Sequence, residues 1–205
     1  MAISGIVLAG GKSLRLRRDK ALEVIGDRSL LERVVATLSL FHGDIILVTA
    51  RAQSLPHLID SLKLRIVADA QPGKGALGGI YTGLVASTSR HNIVVACDMP
   101  FLNYDLLNYM VQIAPGFDVV VPRLGRLVEP LHAVYAQNCL KAIKPLLRQN
   151  SLSITQLFSL VRVRYVEVDE IDRFDPLHLS FFNINTEADL KRARELLRKK
   201  VNDQR

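Results

Sequence analysis

Ile3-Ser4-Gly5-Ile6-Val7-Leu8-Ala9-Gly10-Gly11-Lys12 opens the chain with a short apolar, β-branched run that stops at two glycines. A run of this length, apolar on both sides and closed by a glycine pair, is the pattern of a buried parallel strand. The polar stretch Lys12 to Lys20 then reads as a loop. Ser29-Leu30-Leu31-Glu32 has the spacing of a capping box and predicts a helix to about Leu40. The unit then repeats. Strands are expected at Asp44 to Thr49, Leu64 to Ala68 and Asn92 to Ala96, with helices at Leu55 to Leu62, Leu77 to Ser87 and Asn103 to Gln112. Strand-helix alternation predicts an α/β sheet covered on both faces. The second half is more mixed. Asp118 to Pro122 and Leu131 to Tyr135 flank a turn at Leu124-Gly125-Arg126, which predicts an antiparallel excursion on a mainly parallel sheet. A helix over Ala136 to Gln149, a short helix from Ser153 to Leu160, a half-exposed strand over Val161 to Val168 and a final helix capped at Thr186-Glu187-Ala188-Asp189 complete the pattern. No repeat, low-complexity segment or long linker divides it, so a single domain over residues 1–205 is expected.

Composition narrows the function classes. The chain is 49% hydrophobic and 23% charged, as ordinary globular proteins are. No apolar run approaches the ~20 residues of a membrane helix, and the first residues lack the basic stretch of a secretory signal. Two cysteines, Cys97 and Cys139, have no metal-type spacing and form no disulfide framework. A reducing cytoplasm is the expected location. The net charge of +7 suits phosphates, nucleic acid or a membrane surface. Much of the surplus lies at the end of the final helix, in Lys191, Arg192, Arg194, Arg198, Lys199 and Lys200, where a solvated face explains it. With only 6% aromatic residues and no stripe of aromatics and cations, nucleic-acid binding is not expected.

Three polar clusters follow predicted strands: Gly10 to Lys20, Asp69 to Gly79, and Cys97-Asp98-Met99-Pro100. In an open α/β sheet, ligands bind beyond the carboxyl ends of the strands, so the three loops should converge there. Gly10 and Gly11 allow a sharp turn with amide groups facing a phosphate. Lys12, Arg15, Arg17, Arg18 and Lys20 add charge. The loop is not a P-loop: Gly11-Lys12-Ser13 matches the end of one, but the first glycine would stand at Ile6. Asp98, stiffened by Pro100, could anchor a magnesium–nucleotide complex; Asp69 could bind nucleotide or act as a second ligand; either could instead cap a following helix. Small residues from Pro72 to Gly79 would let a base or sugar approach the backbone, or let the helix pack closely. His132 on an apolar strand reads as a hydrogen-bonded interior histidine or as a catalyst. Asn183 and Asn185 would share one strand face and could meet a heterocycle or brace loops.

These stretches resemble the molybdenum cofactor guanylyltransferase family. The matching residues are Leu8-Ala9-Gly10-Gly11-Lys12-Ser13 with Asp19-Lys20, Asp69, Gly73 to Leu84, and Cys97-Asp98-Met99-Pro100. Glu129-Pro130-Leu131-His132-Ala133-Val134-Tyr135 and Phe182-Asn183-Ile184-Asn185-Thr186 complete the set. The resemblance implies a Rossmann-like three-layer α/β/α sandwich of the nucleotide-diphospho-sugar transferase type. It implies nucleotide binding by Leu8, Ala9, Gly10, Gly11, Lys20, Thr49, Asp69 and Asp98, with Asp98 holding Mg2+. Asp98, Lys20 and Arg15 would carry the catalysis, and Gly78, His132, Asn183 and Asn185 would face the acceptor. In one respect the loop departs from the family: Arg15-Leu16 is followed by Arg17 where a glycine is usual.

The implied reaction transfers GMP from GTP to molybdopterin, with release of pyrophosphate. A phosphate nucleophile is already ionised at neutral pH, so positioning and charge neutralisation dominate. The absence of an evident Ser/His/Asp or Cys/His set agrees with this. GTP and molybdopterin are then the small-molecule partners, with contact to proteins that handle the molybdenum cofactor. A sibling enzyme using CTP or another phosphorylated acceptor, a nucleotide sensor without turnover and a basic nucleic-acid-binding module are the alternatives.

Overall fold

A computed structural model describes residues 3–9, 20–50 and 64–202. Its strands in chain order are β1 (Ser4–Leu8), β2 (Val24–Ile25), β3 (Arg28–Ser29), β4 (Ile45–Thr49) and β5 (Leu64–Ala68), followed by β6 (His91–Ala96), β7 (Val119–Leu124), β8 (Leu127–Val128), β9 (His132–Ala136) and β10 (Val163–Val166). The helices are α1 (Leu30–Ser39), α2 (Gly75–Ala86), α3 (Tyr104–Gln112), α4 (Cys139–Arg148), α5 (Ile154–Phe158), α6 (Val168–Ile171) and α7 (Glu187–Asn202). The helix expected over Leu55 to Leu62 lies outside the described residues.

The main sheet runs β10-β7-β9-β6-β1-β4-β5, with β8 attached to β7. β5, β4, β1 and β6 are mutually parallel. β9 is antiparallel to both β6 and β7, and β10 closes the far edge parallel to β7. The central strands are apolar on both sides because both sides are covered. Val7, Leu47, Ile93 and Val95 face α1, α3 and α6, whereas Ile6, Ile46, Val48 and Val94 face α2, α4 and α5. Three layers result, α/β/α. A smaller cluster of Ile25, Leu30, Phe101, Ile184, Leu190 and Ala193 seats α7 beside the β2–β3 hairpin.

Local signals set the helix starts. Ser29 Oγ accepts from Glu32 N at 3.2 Å, and Ser29 N donates to Glu32 Oε2 at 2.6 Å, a complete capping box. Asn103 Oδ1 accepts from Leu106 N at 2.9 Å to start α3. At α7, Thr186 Oγ1 accepts from Asp189 N at 3.1 Å and Asp189 Oδ2 accepts from Thr186 N at 2.8 Å.

The sheet is met by a glycine face of α2. A Cβ on Gly83 would lie 2.3 Å from Ile6 Cγ2, and one on Gly79 would lie 3.3 Å from the Leu8 methyl groups. Ile6 is wholly buried in the middle strand and has nowhere to go. Gly83→Ala should therefore destabilise despite its better helix propensity. Overpacking costs about 1–3 kcal/mol against a gain of ~1 kcal/mol, so a net loss of up to about 2 kcal/mol is expected in urea unfolding. A variant as stable as the parent would show that α2 is free to shift off β1.

Two expectations need correction. Asn183 and Asn185 are not on a strand: a 3-10 turn at Leu179–Phe181 leads into irregular backbone. The Asp189 carboxylate takes the Asn185 and Thr186 amides, which a strand would have used in its ladder. The strand expected over Val161 to Val168 is only Val163–Val166, because a box formed by Glu167 and Glu170 starts the short helix α6.

Candidate nucleotide site at the carboxyl edge of the sheet

From β1 the chain builds outward through β4 and β5, then returns to place β6 on the other side of β1. The β1–β6 boundary is thus the topological switch point, where α/β sheets open a crevice. Backbone bonds continue across the strand ends there. Ala9 N donates to Val48 O at 2.9 Å, Cys97 N to Leu8 O at 3.1 Å, and Asp69 N to Thr49 O at 2.8 Å. Leu8, Ala9, Thr49, Asp69 and Asp98 consequently occupy one continuous edge. Thr49 is buried; the other four are half-buried. Gly10, Gly11 and Arg15, with the loop cations Lys12, Arg17 and Arg18, lie outside the described residues. Lys20 opens a 3-10 turn to Leu22.

Neither aspartate caps a helix. α2 begins at Gly75 with Lys74 at its cap position and no side-chain cap bond, and α3 is capped by Asn103. Asp69 instead folds its own loop. Its Oδ1 accepts from Gln71 N at 2.9 Å and from Thr82 Oγ1 at 2.9 Å, while Thr82 Oγ1 accepts from Ala70 N at 3.2 Å. The loop is pinned to α2, and the carboxylate is oriented at the edge.

Asp98 is held through its backbone, whose carbonyl accepts from Ile184 N at 3.0 Å. The segment supplying that amide is itself fastened to the exit from β6. Asn103 N donates to Ser180 Oγ at 3.0 Å, and Asn103 Nδ2 donates to Phe174 O at 2.8 Å. Buried Asp175 accepts from Leu179 N at 3.1 Å and Ser180 N at 2.8 Å, shaping the turn. Met99, Phe101 and Leu102 bury behind Asp98. The carboxylate thus stands on a braced loop.

The expected acceptor residues diverge. Gly78 is a packing glycine: a Cβ there would lie 2.8 Å from Lys74 Cβ and 2.9 Å from Gln71 O. Gly73 and Gly75, by contrast, have open surroundings but φ of +81° and +60°, the left-handed region glycine tolerates. Lys74 Nζ donates to Asn150 Oδ1 at 2.7 Å, joining this loop to the end of α4. Asn183 Nδ2 donates to Phe181 O at 3.3 Å, and the Asn185 amide goes to Asp189. The two asparagines flank Ile184, whose amide braces Asp98.

His132 is fully enclosed, with its ring edge-on to Phe181 at 4.9 Å. A ring enclosed in this way touches no bound molecule. It is also not the hydrogen-bonded interior histidine expected from sequence, since neither ring nitrogen has a partner among the described residues. Burial holds its pKa down to about 4.

The β7–β10 half of the edge carries charges whose pairing sequence reading did not find. Arg123 sits over the Tyr165 ring at 4.4 Å and pairs with Glu167. Burial pushes the Glu170 carboxyl up, but hydrogen bonds from Arg164 and Tyr109 outweigh it and hold the group at about 2. Glu129 lies on the same half of the edge. It stands in the stretch Glu129 to Tyr135 that resembles the family, and only the structure shows that its carboxylate is half-buried.

Among the described residues no group of three or more His, Cys, Asp or Glu could hold a metal. A closed protein cage is not what magnesium uses. One carboxylate with phosphate oxygens and water suits it, and Asp98 at the switch point is a carboxylate that could hold the ion in that way.

Comparison with known proteins agrees with this geometry. Residues 5–164 match the model of the MobA-like NTP transferase domain. A Pelotomaculum thermopropionicum protein named "Probable molybdenum cofactor guanylyltransferase" is 36% identical over 191 residues, covering 93% of this chain and 91% of its own. The molybdenum cofactor guanylyltransferase of Desulfosudis oleivorans is 32% identical over 194 residues, 94% of each chain. The crystal structure of molybdopterin-guanine dinucleotide biosynthesis protein A from Archaeoglobus fulgidus superposes with a TM-score of 0.83 at 28% identity, covering 96% of this chain and all of that one. With its sheet, its switch-point edge and these relatives in agreement, the chain belongs to the MobA-like NTP transferase family of nucleotidyltransferases.

Proposed function

We propose that the protein transfers GMP from GTP to molybdenum-bound molybdopterin, forming the guanine dinucleotide cofactor and releasing pyrophosphate. One observation carries the reading: the ends of β1, β4, β5 and β6 are laterally hydrogen-bonded, so that Leu8-Ala9, Thr49, Asp69 and Asp98 share one edge at the switch point. The names of the relatives supply the base and the acceptor. An oxygen of the acceptor phosphate forms a bond to the α-phosphorus of GTP as the bond to the bridging oxygen breaks, and pyrophosphate departs with that oxygen. Repulsion between two anions is the main obstacle. Asp98 holds Mg2+, whose chemistry is to neutralise phosphate charge. Asp69, fixed by Thr82 and Gln71, orients the nucleotide side, and Arg15 and Lys20 supply cations to the triphosphate. No proton need be removed from an ionised phosphate, which fits a site built for alignment and charge.

The two free, buried cysteines suit a reducing cytoplasm, and no helix among the described residues is long and apolar enough to cross a membrane. Transient contact with proteins that handle the molybdenum cofactor would follow from the product. Incubating the protein with Mg2+, molybdopterin and GTP, CTP or ATP, followed by mass analysis and a pyrophosphate assay, tests the reading. The guanine dinucleotide should form from GTP at least tenfold faster than any product from CTP or ATP. A preference for CTP, or no pyrophosphate with any of the three, overturns it.

A further inference from the structure

Glu129 carries a carboxylate for which the rest of the described molecule has no use. It is half-buried, yet no hydrogen bond or ion pair reaches it among the described residues. Burial alone holds its pKa above the ordinary carboxylate range. A desolvated carboxylate without donors is unfavourable, and folded proteins rarely retain one without a purpose. The cation nearest in register is already committed: Arg123 pairs across the ladder with Val128, the residue before Glu129, but it is engaged by Glu167 and the Tyr165 ring.

The backbone fixes where this carboxylate stands. Glu129 N donates to Pro122 O at 3.1 Å, at the carboxyl end of β7. Two residues on, Leu131 O accepts from Ala96 N at 3.1 Å, at the carboxyl end of β6 and two residues before Asp98. The stretch from Glu129 to Leu131 therefore crosses the site edge from β7 to β6, next to Asp98. It lies on the opposite side of β6 from β1, β4 and β5, whose ends bear the nucleotide residues.

We propose that Glu129 reads the heterocycle of the acceptor, accepting paired hydrogen bonds from the 2-amino group and the adjacent ring N–H of a pterin. The assignment rests on the proposed function, in which the acceptor is a pterin. A 2-amino-4-oxo pyrimidine ring presents two parallel donors spaced to match the two oxygens of a carboxylate, the arrangement that makes arginine–carboxylate pairs strong and directional. Binding would supply the donors that Glu129 lacks among the described residues. A site built around a buried acceptor discriminates sharply against a ligand that offers it no donor. Guanine has the same edge, so the position across β6 is what assigns Glu129 to the acceptor.

The test compares 6-hydroxymethylpterin phosphate with its lumazine counterpart, in which oxygen replaces the 2-amino group, as competitors of molybdopterin. The parent protein should bind the pterin on the order of 10–100-fold more tightly than the lumazine. Glu129→Gln presents one donor and one acceptor, which suits the lumazine edge, so the preference should vanish or invert. Its KM for molybdopterin should rise about tenfold or more, with kcat and GTP affinity within about twofold of the parent. Glu129→Ala should lose the preference without inverting it. Three results would overturn the assignment: an intact pterin preference in both variants; a loss of GTP-over-ITP preference instead, which would give Glu129 to guanine; or a fall in kcat with the pterin preference unchanged. If the parent makes the dinucleotide while the variants keep their preference, only the role of Glu129 falls. If the parent binds neither competitor yet releases pyrophosphate with another acceptor, the acceptor reading falls and takes this one with it.

Discussion

Asp98→Asn should leave the protein folded and reduce pyrophosphate release by about 10²–10³-fold, the scale on which removing one charge-stabilising group acts. The substitution keeps the shape of the side chain and removes its charge. The bond that anchors this position to the 174–184 segment is made by the Asp98 carbonyl, which any residue supplies. Packing behind it by Met99, Phe101 and Leu102 is likewise untouched. Thermal unfolding should therefore shift little while turnover collapses, and that contrast separates lost chemistry from lost structure. A neutral amide is a weaker ligand for magnesium than a carboxylate. The variant should accordingly require more Mg2+ for its residual rate, with half-saturation moved up at least tenfold. Full activity at ordinary Mg2+ would remove Asp98 from the metal role, and a parallel loss of melting temperature would show that it serves the fold.

How far such a site can be found from sequence depends on which forces build it. β1, β4 and β6 were legible because a strand buried on both faces is largely apolar, β5 from the apolar residues around exposed Arg65, and each because it ends in a residue that breaks the run. The helix starting at Leu30 was legible from Ser29 and Glu32, since a capping box is a local device. The β2–β3 hairpin, with Gly26 at φ +68°, was not. Two-residue strands carry no periodicity, and α7 holds this one through contacts made by residues far along the chain. The segment after Phe181 was misread as a strand for a related reason. Apolar and polar residues alternate there, but Asp189 captures the Asn185 and Thr186 amides, and those bonds depend on a side chain outside the alternating stretch.

The site shows the same division. Asp69 and Asp98 stand out in sequence as acids at the ends of apolar runs, and the switch point then brings them to one edge. What each acid does nearby was not legible. Cap or ligand is decided by whether a helix starts within reach, and the starts at Gly75 and Tyr104 are too far along. Nor could sequence show that Glu129 and His132, three residues apart in one motif, both lack polar partners among the described residues. That property belongs to the surroundings, which for His132 include Phe181, far along the chain.

His132 should make the protein less stable as the pH falls below neutral. Its pKa falls from 6.5 to about 4 on folding, first because burial penalises the charged ring, with a weak interaction with its own backbone and the attraction of Asp175 too small to offset this. Above pH 6.5 the ring is neutral in both states and folding is not penalised. As the pH drops, the unfolded chain takes up a proton that the folded chain refuses until about pH 4. Each tenfold difference in proton affinity between the two states is worth about 1.4 kcal/mol. Stability should therefore fall by about 2 kcal/mol between pH 7 and pH 5 and by about 3 kcal/mol by pH 4. Glu170, held at about 2 by Arg164 and Tyr109, loses its contribution only at lower pH, so the two effects separate. His132→Leu fills a similar volume, keeps the contact with Phe181 and removes both unpartnered nitrogens. At pH 7 it should be no less stable than the parent, because no hydrogen bond is lost and two buried polar atoms disappear. Urea unfolding across pH 4.5–7.5 should then show a much flatter profile for the variant. Equal slopes in the two proteins would mean that the ring is protonated in the folded state near pH 6, and that a partner reaches it which the enclosed geometry does not provide.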